Sequence, residues 1–323
     1  MKSVHDDPTV PAAPAPWWLA TASKVIRLLP AGRYRAADML ARVAVRPFVA
    51  RTPTTLGELA FQVDWDDRIA RDVCLMGVYE PQETALLRAL LRPGMTCVDV
   101  GANWGYFTLL AAHLTGGEGR VVGLEPDPRL FPTLQRNVEA NGLHQVEVLQ
   151  LAASEASGSR WLEGHDRRSG NLGTSHLVQS VRDGVSSFRV ETSTIDALLD
   201  ERNVRTVDLL KMDIEGGEAP ALRGMRDGLA AGRYTRLLLE LHPAMLGEHG
   251  SSVADLVALL QDAGYRGWWI DHSAQAVRRA SYARRVRPSE YLRPIDESAL
   301  PPEVAWPHTL WVAPHAAPMP VDA

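Results

Sequence analysis

Cysteine is scarce in this chain of 323 residues: two occur, Cys74 and Cys97. They form no C-x-x-C pair, and no histidine stands at zinc-site spacing. Neither a disulfide framework nor a structural metal is therefore indicated, and a cytoplasmic protein is expected. An excess of one charge is lacking too. Lys and Arg number 34 against 39 Asp and Glu, a formal charge of −5. No global field draws the chain to nucleic acid, so a small molecule is the expected partner. Apolar runs of the ~20 residues that span a bilayer are missing. Residues 1–16 place His5, Asp6 and Asp7 where a signal peptide needs positive charge before an apolar run. Membrane contact is therefore not expected.

What is present is an ordinary globular balance, 46% hydrophobic and 23% charged, enough to build a sizeable core. Residues 1–16, rich in Pro and Ala, read as a disordered leader. Residues 17–79 read as an N-terminal helical and hairpin extension. In it Leu19, Val25, Leu28 and Leu29 at helical spacing alternate with Lys24, Arg27, Arg33, Arg35, Arg42 and Arg46. Such a basic amphipathic stretch suits an anionic membrane or a partner, but helices packed over a core with solvated arginines are the expectation. The run Leu59, Phe61, Val63, Ile69, Val73 suggests short strands or a hairpin.

Residues 80–315 read as one α/β domain, with 316–323 a tail. After a helix at 81–91 the chain repeats strand, turn and helix: strand 96–100, helix 106–114, strand 120–125, helix 128–141, strand 146–151. That alternation implies a mostly parallel sheet covered on both faces, a Rossmann-like architecture. A polar stretch at 155–185 reads as an insertion. Strand 188–192, helix 195–202, strands 207–212 and 237–241, helix 253–263, and strands 265–270 and 309–313 continue the pattern.

Three strand ends carry chemistry. Asp99-Val100-Gly101-Ala102-Asn103-Trp104-Gly105 runs from a buried strand into a helix, and Gly101 and Gly105 allow a sharp turn and close approach of a ligand to free N–H groups. Its D-x-G-x-x-x-G spacing is not the G-x-G-x-x-G of pyrophosphate binders, which weakens the competing reading of a nicotinamide-dependent oxidoreductase. Glu125 ends the next strand, where an acid can accept both hydroxyls of a ribose or, more plainly, begin a helix. Asp99-x-Gly101 paired with Glu125 on consecutive strands points to an adenosyl cofactor. Asp213 and Glu215 end strand 207–212; such a pair can act as a base or hold a divalent cation, while Glu215 and Glu218 can also cap the following helix. Glu240 and His242 repeat the arrangement on the next strand, and a histidine there can take a proton or satisfy a backbone carbonyl.

These runs resemble the FkbM family of methyltransferases, through Gly77-Val78-Tyr79-Glu80, Asp99 to Thr108, Glu125-Pro126, Asn137-Val138, Asn141-Gly142, Lys211 to Gly216, and Glu240-Leu241-His242-Pro243. The likeness spans roughly residues 60–315. Trp104 replaces a smaller aliphatic residue and Gly217 an alanine. The resemblance implies a seven-stranded methyltransferase core, S-adenosylmethionine as cofactor, and O-methylation of a hydroxyl on a small natural product or a sugar, with a nitrogen or carboxylate acceptor as the alternative. It places Asp99, Gly101, Asn103 and Gly105 along the methionine end of the donor, Glu125 on its ribose, and Asp213 and His242 beside the acceptor, where His242 or Asp213 is the expected catalytic base. A metal-assisted version would use Asp213, Glu240 or His242 as ligands. The expected cover is the insertion, with Arg167, Arg168, Ser169 and Asn171, and the basic segment from Arg278 to Arg293.

Overall fold

The structure, a computed structural model, describes residues 13–29, 31–43, 47–53, 56–164, 174–182, 184–248, 250–283, 285–295 and 305–317. The leader expected at 1–16 and the tail at 316–323 therefore fall mostly outside the described residues, as do Arg46, Arg167, Arg168, Ser169, Asn171 and Arg284.

The largest sheet holds β1 (Thr96–Val100), β2 (Arg120–Leu124), β3 (Val146–Leu149), β4 (Leu209–Met212), β5 (Arg236–Glu240), β6 (Arg266–Ile270), β7 (Leu292–Pro294) and β8 (His308–Val312). Their order is β3-β2-β1-β4-β5-β8-β6-β7. The first five are parallel neighbours; β8 runs antiparallel between β5 and β6, and β7 pairs antiparallel with β6. The architecture is the Rossmann-like methyltransferase core expected, with short β7 added at the edge. Strands β1, β4 and β5 are largely apolar, interrupted by Asp99, Lys211, Arg236 and Glu240, because helices cover both faces of the sheet at its centre. Val98, Leu210, Leu222 and Leu256 belong to one core; Leu86, Leu109, Ala112 and Val121 belong to the other. The strand order reverses between β1 and β4, and at such a switch point the adjoining loops part to leave a crevice.

The N-terminal helices Trp17–Leu28 and Arg33–Leu40 form as expected, but their arginines are not all solvated. Arg27 donates to the carbonyls of Leu75 and Cys74, and Arg33 to that of Ser281. Phe48–Arg51 pairs antiparallel with Ala60–Val63. Ile69 and Val73, read above as strand-like, lie instead on the helix Arg68–Met76. Their spacing of four residues puts both on one helical face, and Asp67 starts the helix by accepting from the Ala70 N–H at 2.9 Å.

Both segments of the expected cover carry regular structure. In the stretch at 155–185, Gly158–Gly164 and His176–Val178 join Ala152–Ala153 and Ser186–Ser193 in a four-stranded sheet, where Leu162, Leu177, Phe188 and Val190 supply a small apolar face, and Leu162, Ser175 and Leu177 line the crevice at the strand ends. The basic segment is a helix (Ala274–Tyr282), a 3-10 turn (Pro288–Glu290) and β7. Arg279 there lies 4.7 Å over the buried Tyr291 ring rather than over the donor crevice.

Candidate active site

A crevice open to solvent lies at the ends of β1, β2 and β4. Gly101, with φ +83°, turns the chain directly out of β1, and a Cβ there would lie 1.9 Å from the Asp213 carbonyl oxygen. Only glycine permits both the left-handed backbone and this approach. Asn103 follows at φ 54°, its side chain accepting from the Trp104 N–H at 2.7 Å. The Asn103 N–H donates to Glu125 Oε2 at 2.7 Å and the Asp127 N–H to Glu125 Oε1 at 2.8 Å. Burial pushes the Glu125 carboxyl up to about 8 even so. Beyond Glu125 the wall becomes apolar, with Leu130, Leu151, Ala152, Leu162 and Leu177. This sequence of a glycine cradle, a diol-accepting carboxylate and an apolar slot fits the methionine, ribose and adenine parts of S-adenosylmethionine.

At the other end, Tyr79, Tyr106, Phe107, Lys211, Asp213 and Glu215 line the crevice. Lys211 is 4% exposed, sits 4.6 Å over the Phe107 ring, and has Nζ 3.5 Å from Asp213 Oδ2. Burial opposes its charge, but Asp213, Glu80, Asp99 and Glu240 outweigh burial and hold it protonated. Burial likewise opposes ionisation of Asp213, and Lys211, His242 and His308 overcome it, so its carboxyl lies below the usual range. Glu240 is pushed well up by burial and by the charges of Asp213 and Glu80, and it shares a hydrogen bond with Asp213. His242 Nδ1 lies 2.8 Å from Glu218 Oε1, and Nε2 lies 3.3 Å from Glu215 Oε2. Burial disfavours the imidazolium, yet the Glu218 hydrogen bond and the charges of Glu218, Asp213 and Glu215 raise it to about 9. Glu215, at φ 51°, is lifted to about 7 by burial.

A second cavity, of about 1000 Å³, opens on the far side of this cluster. Its wall includes Tyr34, Glu80, Glu240, His272, Trp306 and His308, and Tyr79 lines both spaces. Ligating atoms of Glu80, Asp213 and Glu240 lie within 4.8 Å of one another. The two spaces are thus separated by a thin polar wall.

Of the residues anticipated from sequence, Gly101, Asn103, Glu125 and Asp213 line the crevice. Asp99 and Gly105 stand behind it. Asp99 is 1% exposed, accepts from Thr108 Oγ1 at 2.6 Å and pairs in register with Lys211, while Gly105, at φ +105°, begins the helix Tyr106–Thr115. His242 joins the acidic cluster without reaching the donor crevice wall. Sequence reasoning did not single out Lys211, Glu83, His272 or His308. Lys211 is readable in retrospect as a lone cation in an apolar strand; the others have no local signal. Asn137 and Asn141 also gain a purpose. Asn137 donates to Trp104 O at 2.7 Å and accepts from the Gln62 N–H at 2.8 Å, and Asn141 bonds both backbone groups of Ala60, so together they tie the N-terminal hairpin to the donor loop.

The doubly wound sheet, the glycine turn and the acid ending the adjacent strand define an adenosyl-binding protein of the methyltransferase class. A family model for the methyltransferase FkbM domain matches residues 99–266, just over half of the chain. The chain belongs to the FkbM methyltransferase family, whose cofactor is S-adenosylmethionine. It is 28% identical over 145 residues to Methyltransferase 1 of Beauveria bassiana, covering 40% of this chain and 58% of that protein. It is 27% identical over 202 residues to the 31-O-demethyl-FK506 methyltransferase FkbM of Streptomyces tacrolimicus, covering 54% of this chain and 74% of the relative. A solved FkbM methyltransferase structure from Methylobacillus flagellatus aligns at 17% identity and TM-score 0.41 over 87% of this chain and 60% of that one.

Proposed function

We propose that this protein transfers a methyl group from S-adenosylmethionine to a hydroxyl of a small natural product or a sugar. The observation that carries the reading is Asp213 at the methionine end of the donor crevice beside Tyr79, the residue that also lines the second cavity. An acceptor hydroxyl reaching Asp213 past Tyr79 stands at the donor's methyl. The relative named as a 31-O-demethyl-FK506 methyltransferase supports an oxygen acceptor.

When bound, S-adenosylmethionine supplies an electrophilic methyl on a sulfonium. The chain's share is orientation and proton handling. Gly101 and Asn103 cradle the donor's methionine end and Glu125 its ribose, with Asp99 and Gly105 shaping that loop from behind. Holding the two reactants in line is worth roughly 7 to 11 kcal/mol of barrier. Asp213, ionised beside Lys211, accepts the hydroxyl proton as the oxygen attacks, a contribution of about a hundred- to ten-thousandfold. His242, kept cationic by Glu218, steadies the carboxylates around it. Thermal stabilisation by S-adenosylhomocysteine, compared with NAD and NADP, tests the donor half. Isotope transfer from labelled S-adenosylmethionine to a panel of hydroxylated acceptors tests the other. A preference for a nicotinamide cofactor, or methyl transfer only to nitrogen or carboxylate, would overturn the reading.

A further inference from the structure

Glu83, His272 and His308 form a second polar centre that the donor site does not use. Glu83 lies in the first turn of the helix Pro81–Leu90, His272 follows β6, and His308 opens β8. Glu83 Oε1 is 2.6 Å from His272 Nε2 and 3.1 Å from His308 Nδ1. The two imidazoles stack, parallel within 1° with centroids 3.7 Å apart, so one ring must turn before both nitrogens aim at one ion. Glu83 is 1% exposed, and its Oε2 has no hydrogen-bond partner.

We propose that Glu83, His272 and His308 bind a divalent transition-metal ion of the zinc class. Two imidazole nitrogens and one carboxylate oxygen are a donor set suited to such ions, in the three-ligand form that leaves a position open. The three ligating atoms already lie within 4.8 Å of one another. Coordination at the roughly 2.0 to 2.2 Å that zinc takes from nitrogen and oxygen requires one of the stacked rings to rotate out of the stack. Three further observations point the same way. The unpartnered Glu83 Oε2 gives the carboxylate a second donor atom for an ion. The far nitrogen of His308, Nε2, lies 3.5 Å from Glu240 Oε1, and a carboxylate behind a histidine is what orients metal-bound imidazoles. Glu80 and Glu240 line the second cavity beside His272 and His308, placing acidic side chains next to the proposed site. His272 and His308 both line the second cavity, so an ion has a path in and its open position faces that space. If the cavity admits the acceptor, a step that rests on the function proposed above, the ion stands where acceptor oxygens can coordinate it.

The test uses the full chain, stripped with a chelator and dialysed. Titration with Co²⁺ alone, followed by visible absorption, is expected to show one equivalent bound in a histidine-containing site and displaced by Zn²⁺. His272→Ala and Glu83→Gln should each weaken uptake by roughly a hundredfold, since binding needs all the deprotonated ligands together. Thermal stabilisation by S-adenosylhomocysteine serves as the folding control. A variant that keeps this stabilisation and loses the Co²⁺ spectrum supports the site. Wild-type protein that takes up no Co²⁺ or Zn²⁺, or a His272→Ala variant that binds as wild type does, overturns it. Metal uptake without any response to S-adenosylhomocysteine would support the metal site while removing the methyltransferase reading.

Discussion

The backbone N–H of Asn103 donates to Glu125 Oε2 at 2.7 Å, so the loop leaving β1 is held by the carboxylate proposed above to accept the donor's ribose. On that proposal, donor binding and loop geometry share one side chain. Glu125→Gln is expected to weaken S-adenosylhomocysteine binding by about ten- to a hundredfold, the worth of a hydrogen bond to a charged group. Titration calorimetry measures this directly. A variant with native affinity would remove Glu125 from the ribose site.

The same carboxyl predicts a pH dependence of binding. Raised by burial to about 8, it is largely protonated at pH 7 in the free protein, and the ionised form is the better acceptor for a diol. Affinity for S-adenosylhomocysteine should rise between pH 6.5 and about 9 and become flat in Glu125→Gln.

Gly101→Ala should abolish donor binding and cost roughly 1 to 3 kcal/mol of stability, because the new Cβ meets the Asp213 carbonyl oxygen in a left-handed backbone conformation. Urea denaturation and the thermal-shift response to S-adenosylhomocysteine check both parts.

Asp213→Asn should lower turnover of an identified acceptor by about a hundred- to ten-thousandfold while leaving S-adenosylhomocysteine affinity within a few fold. Loss of donor affinity with unchanged turnover at saturation would assign Asp213 to the donor instead.

Folding stability carries its own pH signature. His242 is raised from its ordinary value to about 9 in the native state, so its contribution is full below about 6.5 and is lost as pH rises through about 9. Apparent melting temperature of the ligand-free protein should fall across that window, and His242→Gln should flatten the fall.

Much of the fold is local and therefore legible in the chain. The apolar runs of β1, β4 and β5, bounded by glycine and alternating with helical segments, leave little choice but a covered parallel sheet, and Asp99-x-Gly101 and Glu125 mark its ligand edge because strand ends and turn glycines are neighbours in sequence. Ile69 and Val73 misled, since a spacing of four between two apolar residues distinguishes helix from strand only once the Asp67 cap is recognised. The tertiary structure decided what no window of sequence contains. Glu83 and His272, 189 positions apart, meet at 2.6 Å only because the antiparallel strand β8 and the neighbouring β6 deliver two histidines to one carboxylate. It also raises His242 toward its cationic form, through Glu218, 24 positions away in the chain and brought to 2.8 Å only by packing. Residue types and local pattern are written in the chain; which charges share a buried space is set by packing.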